Sequence, residues 1–132
     1  MNINLFTTVL LFLRAVESIR QQKISSLLKK ELGHIFQRYS KDHFKGAFIT
    51  VTVVRISQDL SYARVYLSFL AVKDKKALLE YIGGQKKMVR GLLSKSIGKN
   101  MRKVPDLSFY LDDSGEYAQE IDQLLKGPNK GQ

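Results

Sequence analysis

Seven basic side chains fall between positions 81 and 105: Lys86, Lys87, Arg90, Lys95, Lys99, Arg102 and Lys103. No acidic residue lies among them. A solvated helix face ordinarily mixes both signs. An acid-free run of this length instead fits a surface that meets a phosphate backbone, where each Lys or Arg releases a condensed counterion. At helical spacing, positions 86, 90 and 99 lie near one another around the axis. Positions 95, 102 and 103 extend the patch where the helix bends, and Arg20, Lys23 and Lys30 of an earlier helix would widen it. Arg90, Lys99 and Arg102 are expected to be exposed.

Ser96-Ile97-Gly98 sits inside this cluster and reads as a helix break. Two accounts stand side by side. Small residues there would let a phosphate backbone come close, and a helix starting after Gly98 would aim free N–H groups at it. Equally, Gly98 is an ordinary glycine helix terminus.

Catalytic chemistry finds no comparable cluster. The two histidines, His34 and His43, each lack a second histidine at i+3 or i+4, so both read as structural or solvated. Asp112 and Asp113 are adjacent, and adjacent strand residues face opposite ways, so they do not converge as an acid pair. Asp113 with Glu116 has capping-box spacing instead. Gly83-Gly84 lacks the flanking glycine and lysine of a phosphate loop, and no nucleophile elbow or dinucleotide fingerprint is present. The chain has no cysteine, which excludes a disulfide scaffold, a thiolate zinc site and a cysteine nucleophile, and fits a reducing compartment. The reading is a binding protein, not an enzyme, with no metal and no cofactor.

The elements that would position the basic cluster follow from periodicity. Ile24, Leu27, Leu28, Leu32 and Ile35 share one helical face within residues 17–39. Residues 40–46 have turn composition. Residues 47–56 change period: Ile49, Val51 and Val53 alternate with Phe48, Thr50 and Thr52, which predicts a strand. Residues 57–61 form a hairpin connection. Residues 62–70 return with Ala63, Val65, Leu67 and Phe69 on one face. Asp74 caps a helix from Lys75, with Leu78, Ile82, Val89, Leu92 and Ser96 along one side. Leu107, Phe109 and Leu111 mark a third strand, and Tyr117, Ile121, Leu124 and Leu125 a short closing helix. The order is α-β-β-α-(kink)-α-β-α.

A length of 132 residues fits one domain. The net charge is +10, and it is unevenly placed: residues 1–105 hold 20 Lys/Arg against 6 Asp/Glu (+14), and residues 106–132 hold 2 against 6 (−4). Such a field draws polyanions. The plainer alternative is that the bases only keep a small protein soluble.

Residues 1–15 look foreign to the rest. Positions 5–13 are mostly apolar, yet no base precedes them as a secretory signal requires, and the run is shorter than the ~20 residues that span a bilayer. They are read as an N-terminal extension, either sequence upstream of a start at Val16 or a flexible addition. The domain itself takes residues 16–126, and 127–132 form a polar tail.

Three segments resemble the ribosome-binding factor A family. Glu17-Ser18-Ile19-Arg20-Gln21-Gln22-Lys23-Ile24 is similar to its opening. Val51-Thr52-Val53-Val54-Arg55-Ile56-Ser57-Gln58-Asp59-Leu60-Ser61-Tyr62-Ala63-Arg64-Val65-Tyr66 resembles its hairpin. Leu111-Asp112-Asp113-Ser114 with Glu116 and Tyr117 resembles its C-terminal signature. The similarity runs over residues 16–125, and three motifs in order are far more specific than one. It implies an α+β, single type II KH-like domain with a three-stranded sheet and a short C-terminal helix. KH domains grip nucleic acid with a Gly-x-x-Gly loop, absent here; the family has a small-x-Gly kink, which would be Ser96-Ile97-Gly98 with serine where alanine is common. Val53 stands where many relatives carry Asp.

The resemblance further implies a cytoplasmic factor that binds the small ribosomal subunit and its 16S rRNA, serves late maturation and rRNA processing, and supports growth in the cold. The RNA-binding residues would be Arg20, Lys23, Lys86, Arg90, Lys95, Ser96, Gly98, Lys99, Arg102 and Lys103. The free protein is expected to be a monomer with no membrane partner. Two rival readings are a general nucleic-acid-binding module, which would take duplex DNA as readily as rRNA, and a membrane-associated protein held by residues 1–15.

Overall fold

The computed structural model describes residues 4–98, 101 and 103–112. The first helix, α1 (Leu5–Arg38), begins where the Asn4 Oδ1 accepts the Thr7 N–H at 2.7 Å, satisfying one of the donors a helix start leaves free. It starts twelve residues before the expected position 17, since no Gly or Pro interrupts the chain before Gly33. Its second half buries Leu28, Leu32, Ile35 and Phe36. Its first half leaves its apolar side chains in solvent, with Leu5 79% and Phe6 74% exposed.

The expected turn after α1 contains one helical turn, α2 (Ser40–His43). The Ser40 hydroxyl donates to the Ala47 carbonyl at 2.6 Å. Lys45 and Gly46 then adopt positive φ (58° and 72°), which reverses the chain into the sheet.

Strands β1 (Phe48–Ile56) and β2 (Tyr62–Leu70) pair antiparallel, and β2 pairs parallel with β3 (Asp106–Leu111), giving the order β1-β2-β3. A parallel pair needs a long crossover, and here it is built from α3 (Lys75–Gly84) and α4 (Lys86–Ile97). At the hairpin, Asp59 Oδ1 accepts from the Ser57 hydroxyl (2.7 Å), the Ser61 hydroxyl (2.7 Å) and the Ser61 N–H (3.1 Å). These bonds, the Ser61 hydroxyl foremost, stabilise the carboxylate and lower its pKa to about 2.

β2 buries Ala63, Val65, Leu67 and Phe69, as the alternation predicts. β1 departs from it. Val51 pairs with Leu67 but Val53 with Tyr66, so Thr52 is an extra residue, a β-bulge. A one-residue shift turns every later side chain over. Ile49 and Val51 before the bulge, and Val54 and Ile56 after it, enter the core, while Val53 does not. The Thr52 hydroxyl lies between the Tyr66 carbonyl and the Asp112 carboxylate.

The predicted break at Gly98 is the end of α4, and a further break precedes it. It falls at Gln85, directly after Gly83-Gly84, where two weak helix formers let the chain leave the first helix. Asp74 caps α3 as expected, accepting from the Ala77 N–H at 3.0 Å. The break resets the helical phase. Val89, Leu93 and Ile97 enter the core, and Leu92 and Ser96 do not. Gly98 ends α4, its N–H donating to Ser94 O, and Met101 and residues 103–105 are not helical. The core joins the helices to one sheet face; Phe36 sits 5.0 Å from Phe44 and 6.0 Å from Phe109, ring centre to ring centre. The predicted closing helix and polar tail lie outside the described residues.

Candidate nucleic-acid interface

With α4 running from Lys86 and its core stripe at Val89, Leu93 and Ile97, the opposite side holds Lys87, Gly91, Ser94, Lys95 and Gly98. All five are exposed. Their 3- and 4-residue spacings place them on one face. Two lysines thus flank a floor of small residues over which a polyanion backbone can approach without meeting bulky side chains. Lys87, Gly91 and Ser94 were absent from the sequence-derived set of RNA-binding residues. The signal for them was the Lys87–Gly91–Lys95 repeat, visible only once the helix is started after Gly84.

Lys86 and Arg90 lie on a different flank. Lys86 Nζ stands 3.4 Å from Asp106 Oδ1. Arg90 Nε donates to the Pro105 carbonyl at 3.1 Å, and its Nη2 to the Val104 carbonyl at 3.0 Å. Arg90 is half-buried, contrary to the expectation that it is exposed. The cause is geometric: two successive carbonyls entering β3 match the forked guanidinium.

Ser96 and Lys95 turn toward α1. A groove of about 430 Å³ opens there, lined by Glu31, His34, Arg38, Tyr39, Lys95 and Ser96 among others. The Ser96 hydroxyl donates to Glu31 Oε2 at 2.9 Å, and His34 Nδ1 stands 4.0 Å from that same oxygen. Glu31 is the groove's acid and is half-buried; Arg38 and Lys95 are exposed. The groove is therefore cationic at its rim, with its carboxylate already hydrogen-bonded.

Arg20 and Lys23 are exposed on α1, but a rise of about 1.5 Å per residue sets them about 16 and 12 Å along the helix from Glu31. The fold does not bring them to the groove. Lys103 is exposed in the connection to β3. Lys99 and Arg102 lie outside the described residues. Among the described residues no cluster of three or more His, Asp or Glu side chains could hold a metal ion, and no helix is long and apolar enough to cross a membrane.

Helices α1, α3 and α4 packed on one face of a mixed three-stranded sheet, with a cationic free side on α4, define a small basic α+β protein. The family model described as "Ribosome-binding factor A" matches residues 20–125. The chain belongs to the ribosome-binding factor A family. It is 44% identical over 110 residues to the ribosome-binding factor A of Cytophaga hutchinsonii, covering 83% of each chain. In structure it is similar to the Thermotoga maritima relative solved by solution NMR (31% identity, TM-score 0.56, covering 69% of this chain and 85% of that one). It is also similar to the crystal structure of ribosome-binding factor A from Thermus thermophilus (22% identity, TM-score 0.58, 69% and 94%). Residues 5–19, the part of α1 that carries the exposed Leu5, Phe6 and Phe12, precede the family match.

Proposed function

We propose that this chain is a non-catalytic assembly factor that binds the small ribosomal subunit and its 16S rRNA and assists late maturation and rRNA processing, including in the cold. Membership of a family named for ribosome binding supports the partner. The observation that carries the mode of binding is the exposed stripe Lys87, Gly91, Ser94, Lys95 and Gly98 on α4. Lysines there neutralise phosphates, and the small residues admit the backbone.

The RNA-facing set is Lys87, Lys95, Ser96, Gly98 and Lys103, joined by Lys99 and Arg102. Lys86 and Arg90 act behind it by holding the entry to β3, and Arg20 and Lys23 form an outlying contact along α1. Apart from the single-turn α2, the order α-β-β-α-α-β supports a type II KH-like reading in which the α3–α4 junction at Gln85 and the end of α4 replace a Gly-x-x-Gly loop. The domain is residues 16–126, with 1–15 an extension and 127–132 a tail. It works in the cytoplasm as a monomer when free, without a cofactor.

The test is a competition. Immature small subunits are incubated with the protein and challenged with duplex DNA of matched phosphate concentration. Retention on the subunits is expected; complete displacement makes the protein a general polyanion binder and overturns the ribosomal assignment.

A further inference from the structure

From Arg20 to Asp112 the large apolar side chains left exposed among the described residues are Phe48 (57%), Leu70 (66%) and Tyr110 (39%). All three lie on the sheet face turned away from the helices, since Ile49 beside Phe48 and Phe69 beside Leu70 are buried, and Phe109 and Leu111 on either side of Tyr110 pack against the core. No described element covers this face.

The register arranges it in rows. Phe48 pairs with Leu70 at one end. Farther on, Val53, Tyr66 and Tyr110 form a row across the three strands, and Arg55, Arg64 and Ser108 form the next. The Tyr66 and Tyr110 rings are stacked, 5.4 Å apart and 29° from parallel. The Tyr62 hydroxyl donates to Ser108 Oγ at 2.7 Å and lies 3.3 Å from the Tyr110 hydroxyl, which holds the aromatic edge in place.

Arg55 and Arg64 are direct cross-strand partners, and both are exposed. Like charges placed opposite one another destabilise a sheet. Among the described residues no carboxylate forms an ion pair with either. An anion between them converts that repulsion into two charge-assisted contacts, and guanidinium forks match phosphate. The adjacent row, about 7 Å along the strands, offers stacked tyrosines. Asp112, beside Thr52, borders the tyrosines on the side away from the arginines, which leaves the Arg55–Arg64 pair as the place for phosphate.

We propose that this open sheet face binds a short run of unpaired RNA, with a phosphate between Arg55 and Arg64 and bases stacked on Tyr66, Tyr110 and Phe48. Duplex RNA keeps its bases stacked on each other and does not offer their faces. The site lies on the opposite side of the sheet from α4 and is independent of the helical surface.

The full-length protein is titrated against a short labelled poly(U) strand and against a hairpin duplex, by fluorescence anisotropy. The chain has no tryptophan, so tyrosine emission reports the same binding directly. R55A/R64A and Y66A/Y110A are each expected to weaken poly(U) binding about tenfold or more, while Y66F/Y110F, which keeps the rings, retains it. K87A/K95A is expected to weaken small-subunit binding and to change poly(U) affinity less than the arginine pair does. Should Y66A/Y110A fail to fold, the exposed arginine pair and the phenylalanine pair still decide. Unchanged poly(U) affinity in R55A/R64A overturns the proposal, even where that variant loses subunits, because the face would then carry a protein contact. Equal binding of hairpin and single strand overturns it as well.

Discussion

Arg90 and Pro105 are joined by a hydrogen bond of 3.1 Å from the guanidinium Nε to the proline carbonyl, and a second bond to Val104 completes the fork. This fixes the middle of α4 to the entry of β3. A residue that sequence spacing placed among RNA contacts is committed to the fold.

Arg90→Ala therefore removes two charge-assisted bonds and is expected to cost about 2 kcal/mol, read as a lower urea midpoint. Arg90→Lys keeps the charge but not the fork and recovers little of the loss. Full stability in Arg90→Ala combined with lost RNA binding would return the side chain to the interface.

Leu93 is fully buried and Leu92 is not. Leu93→Ala is expected to cost about 2–5 kcal/mol by leaving a cavity, and Leu92→Ala distinctly less. Denaturant curves on the two variants decide the phase of α4; the reverse ranking would put back a continuous helix through Gln85.

Asp59 has its pKa lowered from 3.8 to about 2 by the serine bonds in the hairpin. A depressed acid contributes stability that is present above its unfolded value and lost as pH falls through the folded one. Wild type should thus melt above Asp59→Asn near pH 5, with the gap closing as pH falls from about 3.8 toward 2. A gap constant across that window would mean the carboxylate charge plays no part in the turn.

The first half of α1 exposes its apolar side chains and precedes the family match at Arg20. Deleting residues 1–15 should leave the urea midpoint and subunit binding unchanged and reduce self-association, because exposed apolar patches aggregate. A lower midpoint would show that these residues pack on the domain; a shift from membrane to soluble fractions on deletion would make them an anchor.

How much of this was legible in the sequence varies by element. β2 follows strict alternation, since a regular strand has a period of two and nothing in Ala63, Val65, Leu67 and Phe69 interrupts it. The Asp74 cap was equally plain. The Thr52 bulge was not, because a bulge is a pairing event between two strands and leaves no mark in a run of Val and Thr. The reset at Gln85 was hidden for a related reason: two glycines in succession weaken a helix, but only packing decides whether a weak point becomes a break. That one shift moved the core stripe from Leu92 to Leu93 and exposed the Lys87–Gly91–Lys95 face. The basic cluster was visible as composition; which of its members are spent on Asp106 and the Val104–Pro105 carbonyls depends on tertiary contacts.

The central claim is that α4 meets small-subunit rRNA through Lys87 and Lys95. Its most direct test is co-sedimentation of the protein with purified immature small subunits across a salt series, for wild type and the K87E/K95E variant. Wild type should associate at low salt, with log K falling linearly against log salt, and the variant should bind more weakly with a slope shallower by about 2. No association of the wild type at low salt, or an identical affinity and slope in the variant, would contradict it.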